Sequence, residues 1–379
     1  MDSGTVTEQR QVDTAALSRR IECDVVVIGG GGSGLAAAVE ASSLGRSVIL
    51  IEKNEKLGGS TVWSMGSLTA NSSPQQLRKG ILDSPDDHFD DMTKFRELSG
   101  RIRRSPSPVP NNLEFRRILV DNVSDTVRWL MSMGVDFFGP LPESPHRKPR
   151  MLIVLPNPGA YIYHLANAAR KNGVDIRTSV RARRLNIEKG RAVGVICDTA
   201  DGPLELRARG GIVLTTGDFA ANSEMKAKYV SQEMAGARAT NPTSTGDGHQ
   251  MVLDIGGRVE VTGLHSSGIR FQPPPPKWIS AIPPYRSLTK FMKWAMQNLP
   301  GWLVRPFVIS FMTTVTVPST YLFKEGGILI NKLGERFTDE LKNPSDNPIP
   351  VLAGQPDELG YILMDGKIAD KFSRWPYYV

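Results

Sequence analysis

The sequence of 379 residues predicts an α/β fold, and three observations carry that prediction. A β-branched run, Asp24-Val25-Val26-Val27-Ile28, passes straight into Gly29-Gly30-Gly31-Gly32-Ser33-Gly34 and then an Ala-rich stretch, Leu35 to Leu44. A second apolar run, Ser47 to Ile51, ends in Glu52. From Tyr161 onward, helical and strand-like stretches alternate again.

The run Val25 to Ile28 has no polar alternation, as expected of a parallel strand covered on both faces. Gly29, Gly31 and Gly34 satisfy GxGxxG in the strand–turn–helix setting that gives the motif its meaning. Gly29 would make the turn, Gly31 would let a pyrophosphate reach the backbone, and Gly34 would allow the helix to pack closely on the strand. The helix N-terminus, with Ser33 in its first turn, would face the phosphates. Glu52 follows Gly34 by 18 residues, where an acid accepts both ribose hydroxyls of an adenosine and repels a 2′-phosphate. The plainer alternative is a glycine-rich turn beside a solvated glutamate.

Composition narrows the class. With 40% apolar and 22% charged residues the chain can bury a large core, and 36 Gly with 27 Pro suit a loop-rich α/β enzyme. A net charge of +7 favours anionic ligands or surfaces but does not make a nucleic-acid binder. The only cysteines, Cys23 and Cys197, are too few and too far apart for a disulfide framework, an iron–sulfur set or a cysteine zinc site. No stretch reaches the roughly 18 uninterrupted apolar residues of a membrane span. Met1 to Arg20 is polar, without the apolar region of a secretory signal, and reads as a disordered leader; a cytoplasmic location is the default.

Whether the dinucleotide is NAD or FAD is decided by Glu52-Lys53 and the turns that follow, Gly58-Gly59-Ser60-Thr61 and Ser64-Met65-Gly66-Ser67. Two glycine-rich turns let backbone run beside a long cofactor, and small hydroxyls can bond its ribityl or flavin end. This pattern resembles the FAD-binding domain of the fumarate reductase/succinate dehydrogenase flavoprotein superfamily, which includes soluble fumarate and urocanate reductases and 3-ketosteroid dehydrogenases. Where some members bond flavin covalently through a histidine, this chain has Ser60-Thr61-Val62-Trp63, so the resemblance implies non-covalent FAD.

The implied fold is a Rossmann-type, glutathione-reductase-like FAD-binding domain with a helical insertion and an α+β capping domain. The leader would cover residues 1–20, the FAD domain 21–76 and 151–250, the insertion 77–150 and the capping domain 251–379. In the insertion, Leu113 to Met133 carries apolar residues at helical spacing; the acidic run Asp83 to Asp91 reads as a solvated face. Tyr161 to Asn172 reads as a helix closed by Gly173. Leu185 to Asp198 and Leu204 to Leu214 alternate like antiparallel strands.

Three later segments match the superfamily in order. Thr215-Thr216-Gly217-Asp218-Phe219 is similar to its ATGGF-like segment, implying cofactor contact at Thr216 and Gly217, with Asp218 departing from the pattern. Ala182 falls where such folds touch adenine through backbone atoms. Asn241 to Gly248 is similar to N-P-x-x-x-GDG, which implies a flavin-region role for Asp247; the alternative is an acid capping the next helix. Gly326 to Glu340 is similar to a segment that lies beside the substrate cavity. Arg336 is left between binding an anionic substrate and pairing with Glu340.

For chemistry, flavin would exchange the hydride, and the protein must supply a proton donor or acceptor. Fumarate reductases use an arginine shortly after RF-x-x-E, but here Leu341 to Asp346 contains none. Tyr321 is the phenol candidate, with His265 and Arg270 as further candidates at the substrate. The expected partner is a small molecule, hydrophobic or steroid-like in view of the aromatic stretch Tyr285 to Arg305; the electron donor or acceptor is not readable. That stretch, basic as well as aromatic, suits peripheral contact with an anionic membrane, a substrate entrance, or a capping helix with buried aromatics. The glycine-rich segment that closes the flavin site in the superfamily has no counterpart before Val379, which suggests a truncated or silent chain as the alternative.

Overall fold

The computed structural model describes residues 19–102, 112–143, 146–260, 281–300, 302–304, 320–340, 351–352 and 354–372, without the side chains of 94–102, Glu233, Thr320 and Tyr321. The leader through residue 18, His265, Arg270 and the proline run Pro273 to Pro276 lie outside the described residues.

The core of the fold is a six-stranded sheet ordered β6 (Asp175–Arg177), β2 (Val48–Ile51), β1 (Arg20–Ile28), β9 (Gly202–Leu214), β8 (Arg191–Thr199) and β7 (Arg181–Glu188). Its centre is β1 (Arg20–Ile28), joined through α1 (Gly32–Ser43) to β2 (Val48–Ile51), which pairs with it in parallel. The alternation of side chains across this pair builds both cores. Val27, Val48 and Leu50 face α1 and the helices beyond, while Val26, Ile28, Ile49 and Ile51 face Val195, Leu204 and Leu206. Both faces are covered, which is why the strands read as continuous apolar runs.

The segment expected as an insertion, 77–150, carries α3 (Pro85–Ile102) and α4 (Leu113–Ser132), with α2 (Pro74–Arg78) at its start. Beside these helices one strand also falls within 77–150. Strands β3 (Ser67–Thr69), β4 (Asp136–Leu141) and β5 (Met151–Leu155) form an antiparallel sheet ordered β3-β5-β4, so residues 136–141 are strand. The acidic run is a solvated face only in part: Asp86 and Asp90 are exposed. Asp83 and Asp91 are fully buried, and both pair with the equally buried Arg150 at 2.7 Å. The neutralising cations come from a loop about 60 residues later, beyond the reach of a local charge reading.

The chain then returns to the main sheet through α5 (Gly159–Lys171) and β6 (Asp175–Arg177). β7 (Arg181–Glu188) and β8 (Arg191–Thr199) form a hairpin, and β9 (Gly202–Leu214) pairs antiparallel with β8. β9 does more than the antiparallel reading foresaw. It also runs parallel to β1 from Arg20↔Glu205 to Ile28↔Leu214 and completes the parallel set.

Helices α6 (Ser223–Tyr229) and α7 (Asp247–Leu253) follow. Beyond them come α8 (Arg286–Asn298), α9 (Thr320–Lys324), β10 (Ile328–Ile330), β11 (Tyr361–Leu363) and α10 (Gly366–Phe372), with β10 and β11 forming a two-stranded antiparallel sheet. No described helix is long and apolar enough to cross a membrane.

Candidate cofactor site

The parallel strands β1, β2, β6 and β9 all end on one edge of the sheet, the edge where open α/β sheets bind ligands. Three loops meet there: residues 29–34 after β1, 52–61 after β2, and 215–222 after β9.

The first turn is fixed by crowding. A Cβ at Gly34 would stand 1.9 Å from the Gly29 carbonyl oxygen, and one at Gly29, where φ is +114°, would stand 2.4 Å from the Thr215 carbonyl oxygen. The Thr215 hydroxyl donates to the carbonyls of Ile28 at 2.9 Å and Gly29 at 3.1 Å, closing the loop after β9 onto the turn. Gly31 differs. A Cβ there would meet protein only at 3.8 Å, so the fold itself leaves its outer side open.

The loop after β2 docks on this turn. Gly58 donates its amide to the Gly30 carbonyl at 3.0 Å, and Gly59 to Thr61 forms a single 3-10 turn. A Cβ on Gly59 would press on the Gly31 backbone at 3.2 Å. The Thr61 hydroxyl accepts from Gly32 N at 3.1 Å, capping one amide of the α1 N-terminus. The first-turn amides of Ser33 and Gly34 have no acceptor within the helix by construction, and the Ser33 side chain is exposed.

Glu52 is buried between the two turns. Its Oε2 accepts from Gly30 N at 2.7 Å and its Oε1 from Asn54 N at 2.9 Å. It is therefore no solvated surface acid. A carboxylate offers about four acceptor positions, so two remain for hydroxyl groups.

Lys53 and Asp247 turn out to be partners. Lys53 Nζ donates to Asp247 Oδ2 at 2.9 Å and to the Thr245 hydroxyl at 2.6 Å, while Arg181 reaches Asp247 Oδ1 at 3.1 Å. Burial would push the Asp247 carboxyl up, but the bonds and charge from Lys53, with Thr245 and Arg181, hold it below the usual carboxylate range. Asp247 is also the first residue of α7. The segment Asn241 to Asp247 thus acts as a brace: Asn241 donates to the Ser60 hydroxyl at 3.0 Å, and Asn54 to the Thr243 hydroxyl at 3.3 Å. It also ties down the loop after β9, with the Gly246 amide on the Asp218 carbonyl at 3.2 Å.

The remaining expected contacts divide. Ala182 is buried at the start of β7, beside the Val180 amide that donates to the Glu52 carbonyl at 2.9 Å. Thr216 packs its hydroxyl where a Cβ at Gly248 would come to 2.1 Å, and Gly217 follows it in the same loop. Gly66 has a packing reason of its own, since a Cβ would meet Val154 at 2.4 Å. Its carbonyl accepts from the Tyr161 hydroxyl at 3.0 Å, and Ser67 begins β3 beside it.

Arg336 pairs with Glu340 at 2.5 Å, the structural alternative of the two left open, and Glu340 also accepts from Leu329 N. Tyr321 lies in α9, its side chain outside the described residues. Thr215, Arg181, Asn241, Thr243 and Thr245 were not singled out from sequence. A hydroxyl directly after a strand facing GxGxxG was the available signal for Thr215.

A helix N-terminus, an uncrowded glycine and a buried carboxylate with spare acceptor positions suit a pyrophosphate joined to an adenosine. The model of the FAD binding domain family matches residues 24–276. The chain belongs to this family. The residues present fit FAD: α1 and Gly31 would hold the pyrophosphate and Glu52 the adenosine ribose.

Among the relatives of this FAD-binding chain, the fumarate reductase (cytochrome) of Shewanella frigidimarina is 27% identical over 366 residues, covering 94% of this chain and 54% of that protein. The vinyl phenol reductase of Lactiplantibacillus plantarum is 27% identical, covering 86% of this chain and 58% of the relative. The urocanate reductase of Eggerthella lenta is 29% identical, with 65% and 40% covered. The chain spans about half the length of the curated relatives it matches first.

Two solved structures share the fold. The open conformation of a flavocytochrome c3 fumarate reductase matches with a TM-score of 0.66 at 23% identity, covering 94% of this chain and 55% of that one. A 3-ketosteroid-Δ4-(5α)-dehydrogenase from Rhodococcus jostii RHA1 matches at 0.59 and 19% identity, covering 95% and 69%.

Proposed function

We propose that the chain forms the non-covalent FAD-holding part of an oxidoreductase that saturates or desaturates a C–C bond activated by a carbonyl or carboxylate. When bound, the flavin supplies hydride exchange at N5. The observation that most directly supports cofactor binding is Glu52, held between two turns with acceptor positions to spare. The reaction class draws on relatives named for reducing fumarate, vinyl phenol and urocanate, each a compound with a C=C bond.

A hydrophobic, steroid-like substrate suits this chain better than a small dicarboxylate. Leu341 to Asp346 lacks the arginine that the resemblance would require as proton donor, and Arg336 is engaged by Glu340. Tyr321 is our proton donor or acceptor, with His265 and Arg270 orienting the substrate. We keep the two-part FAD domain, insertion and capping domain as working boundaries, and a cytoplasmic location as the working assignment.

The test uses the full chain reconstituted with FAD. A yellow protein, bleached by a reductant and reoxidised by an enone steroid rather than by fumarate, is the expected outcome. Colourless protein that takes up no flavin would overturn the cofactor reading and favour a silent chain. Tyr321→Phe should cut turnover by about a hundredfold with flavin still bound; full turnover removes Tyr321 from the reaction.

A further inference from the structure

Residues 261–324 contain seven basic residues and no aspartate or glutamate. The rest of the chain then holds 39 basic against 39 acidic residues, so the whole net charge of +7 resides in this one stretch. Charge spread at random would not segregate this way.

The described part of the stretch centres on α8. Its inner side lies against β4 and β5, and Thr289 on that side is fully buried and hydrogen-bonded to Asp136 of β4. A polar residue thus faces inward while large aromatics face outward. Phe291 is 60% and Trp294 52% exposed, their rings stacked 5.9 Å apart. Arg286, Lys290 and Trp294 follow one another at helical i, i+4 spacing along the exposed side, with Phe291 beside them. Just past the helix, Trp302 is 73% exposed and Leu303 is exposed too.

In water this face leaves apolar rings unburied beside Arg286 and Lys290, which form no ion pair among the described residues. One environment satisfies both at once. At a bilayer surface, indole and phenyl rings enter the headgroup–acyl boundary while lysine and arginine meet anionic headgroups. We infer that α8 and the Trp302-Leu303 segment form a docking face for an anionic lipid bilayer, with the helix lying in the plane of the interface. Charge complementarity selects the occupant: a neutral partner would leave the acid-free composition without a role. The inference stands apart from the redox reading, because it uses none of the residues of the cofactor site.

The full chain would be sedimented with vesicles of phosphatidylcholine alone and with vesicles containing about one-third phosphatidylserine. Binding only to the second kind, weakening with added salt and accompanied by a blue shift of tryptophan emission, is expected. Arg286→Glu with Lys290→Glu should weaken binding by about tenfold or more, and Trp302→Ala should lower it with all charges kept. Unchanged far-ultraviolet dichroism in each variant separates lost docking from lost folding. Equal binding to neutral vesicles, no binding to either kind, or indifference to both substitutions would overturn the inference. Release of the chain from the vesicles by single-stranded RNA at the same salt would assign the cations to nucleic acid instead.

Discussion

The glycine turns and the helical insertion both bury carboxylates, and they treat them in opposite ways. Among the described residues, the Glu52 carboxylate is met by backbone amides alone and keeps acceptor positions open. Asp83 and Asp91 are met by a guanidinium and leave little to spare: Arg150 bonds Asp83 through Nε at 2.7 Å and Nη2 at 2.8 Å, and Asp91 through Nη1 at 2.7 Å. Gln76 adds a bond to Asp83, and Arg147 a second cation on Asp91. A binding site must keep polar capacity in reserve, whereas a structural cluster must exhaust it, because an unpaired buried charge costs far more than a pair gains.

Removing Arg150 is the most damaging way to probe this contrast. Arg150→Met leaves two buried carboxylates without their cation and should destabilise the fold by about 3–5 kcal/mol. Urea unfolding would measure it. A loss below about 1 kcal/mol would mean the cluster is solvated and the contrast with Glu52 false.

Acid should act next, and strongly on the same cluster. Burial, then the Arg150 guanidinium and His146, hold the His88 imidazole down to about 4, and His146 is lowered by burial and Arg150. Asn71 faces His88 Nδ1 at 3.0 Å, and Arg150 donates to His146 Nδ1 at 3.0 Å, which suits neutral rings. The unfolded chain would take up these protons near pH 6.5, so it binds more protons than the folded one between about 6.5 and 4. Stability therefore falls as pH drops through that window, by about 3 kcal/mol at most for His88, and is untouched above it. For Asp83, burial raises the carboxyl but Arg150 and Gln76 prevail and lower it, so its contribution is lost only below the ordinary aspartate range. Unfolding midpoints followed from about pH 7 to about pH 4.5 should slope in the parent and slope less steeply in His88→Gln, where His146 and His164 still titrate; parallel slopes would clear His88.

The same contrast explains what was legible in the sequence. Strand, GxGxxG, helix and Glu52 lie within about thirty consecutive residues, and each is read from its neighbours. The Asp83–Arg150 pair spans 67 residues, and the brace between Lys53 and Asp247 spans 194. Local charge patterning cannot show such partners, so the acidic run looked like surface. For Asp247 the motif marked the right place but not what it bonds. Gly66 fitted a cofactor turn by composition, while its packing reason, Val154, comes from a strand almost ninety residues on. Buried aromatics were one of three readings of the α8 stretch, because apolar residues at helical spacing are usually core; the exposure of the rings depends on which face β4 and β5 receive.

Two glycines of the same motif give the finest probe, since they separate folding from binding within one turn. Gly34→Ala forces a methyl to within 1.9 Å of the Gly29 carbonyl, so the turn must shift whether or not cofactor is present. It should lose about 1–3 kcal/mol of stability and FAD retention together. Gly31→Ala keeps an extended backbone with φ −79° and meets protein only at 3.8 Å. Its stability without FAD should stay within about 0.5 kcal/mol of the parent. FAD affinity should nevertheless fall by about tenfold or more if pyrophosphate lies against that backbone. Equal FAD affinity in Gly31→Ala and the parent would show that the open side of the turn is not where the phosphates lie. A matching loss of apo stability in the two variants would show that protein, rather than ligand, requires both glycines.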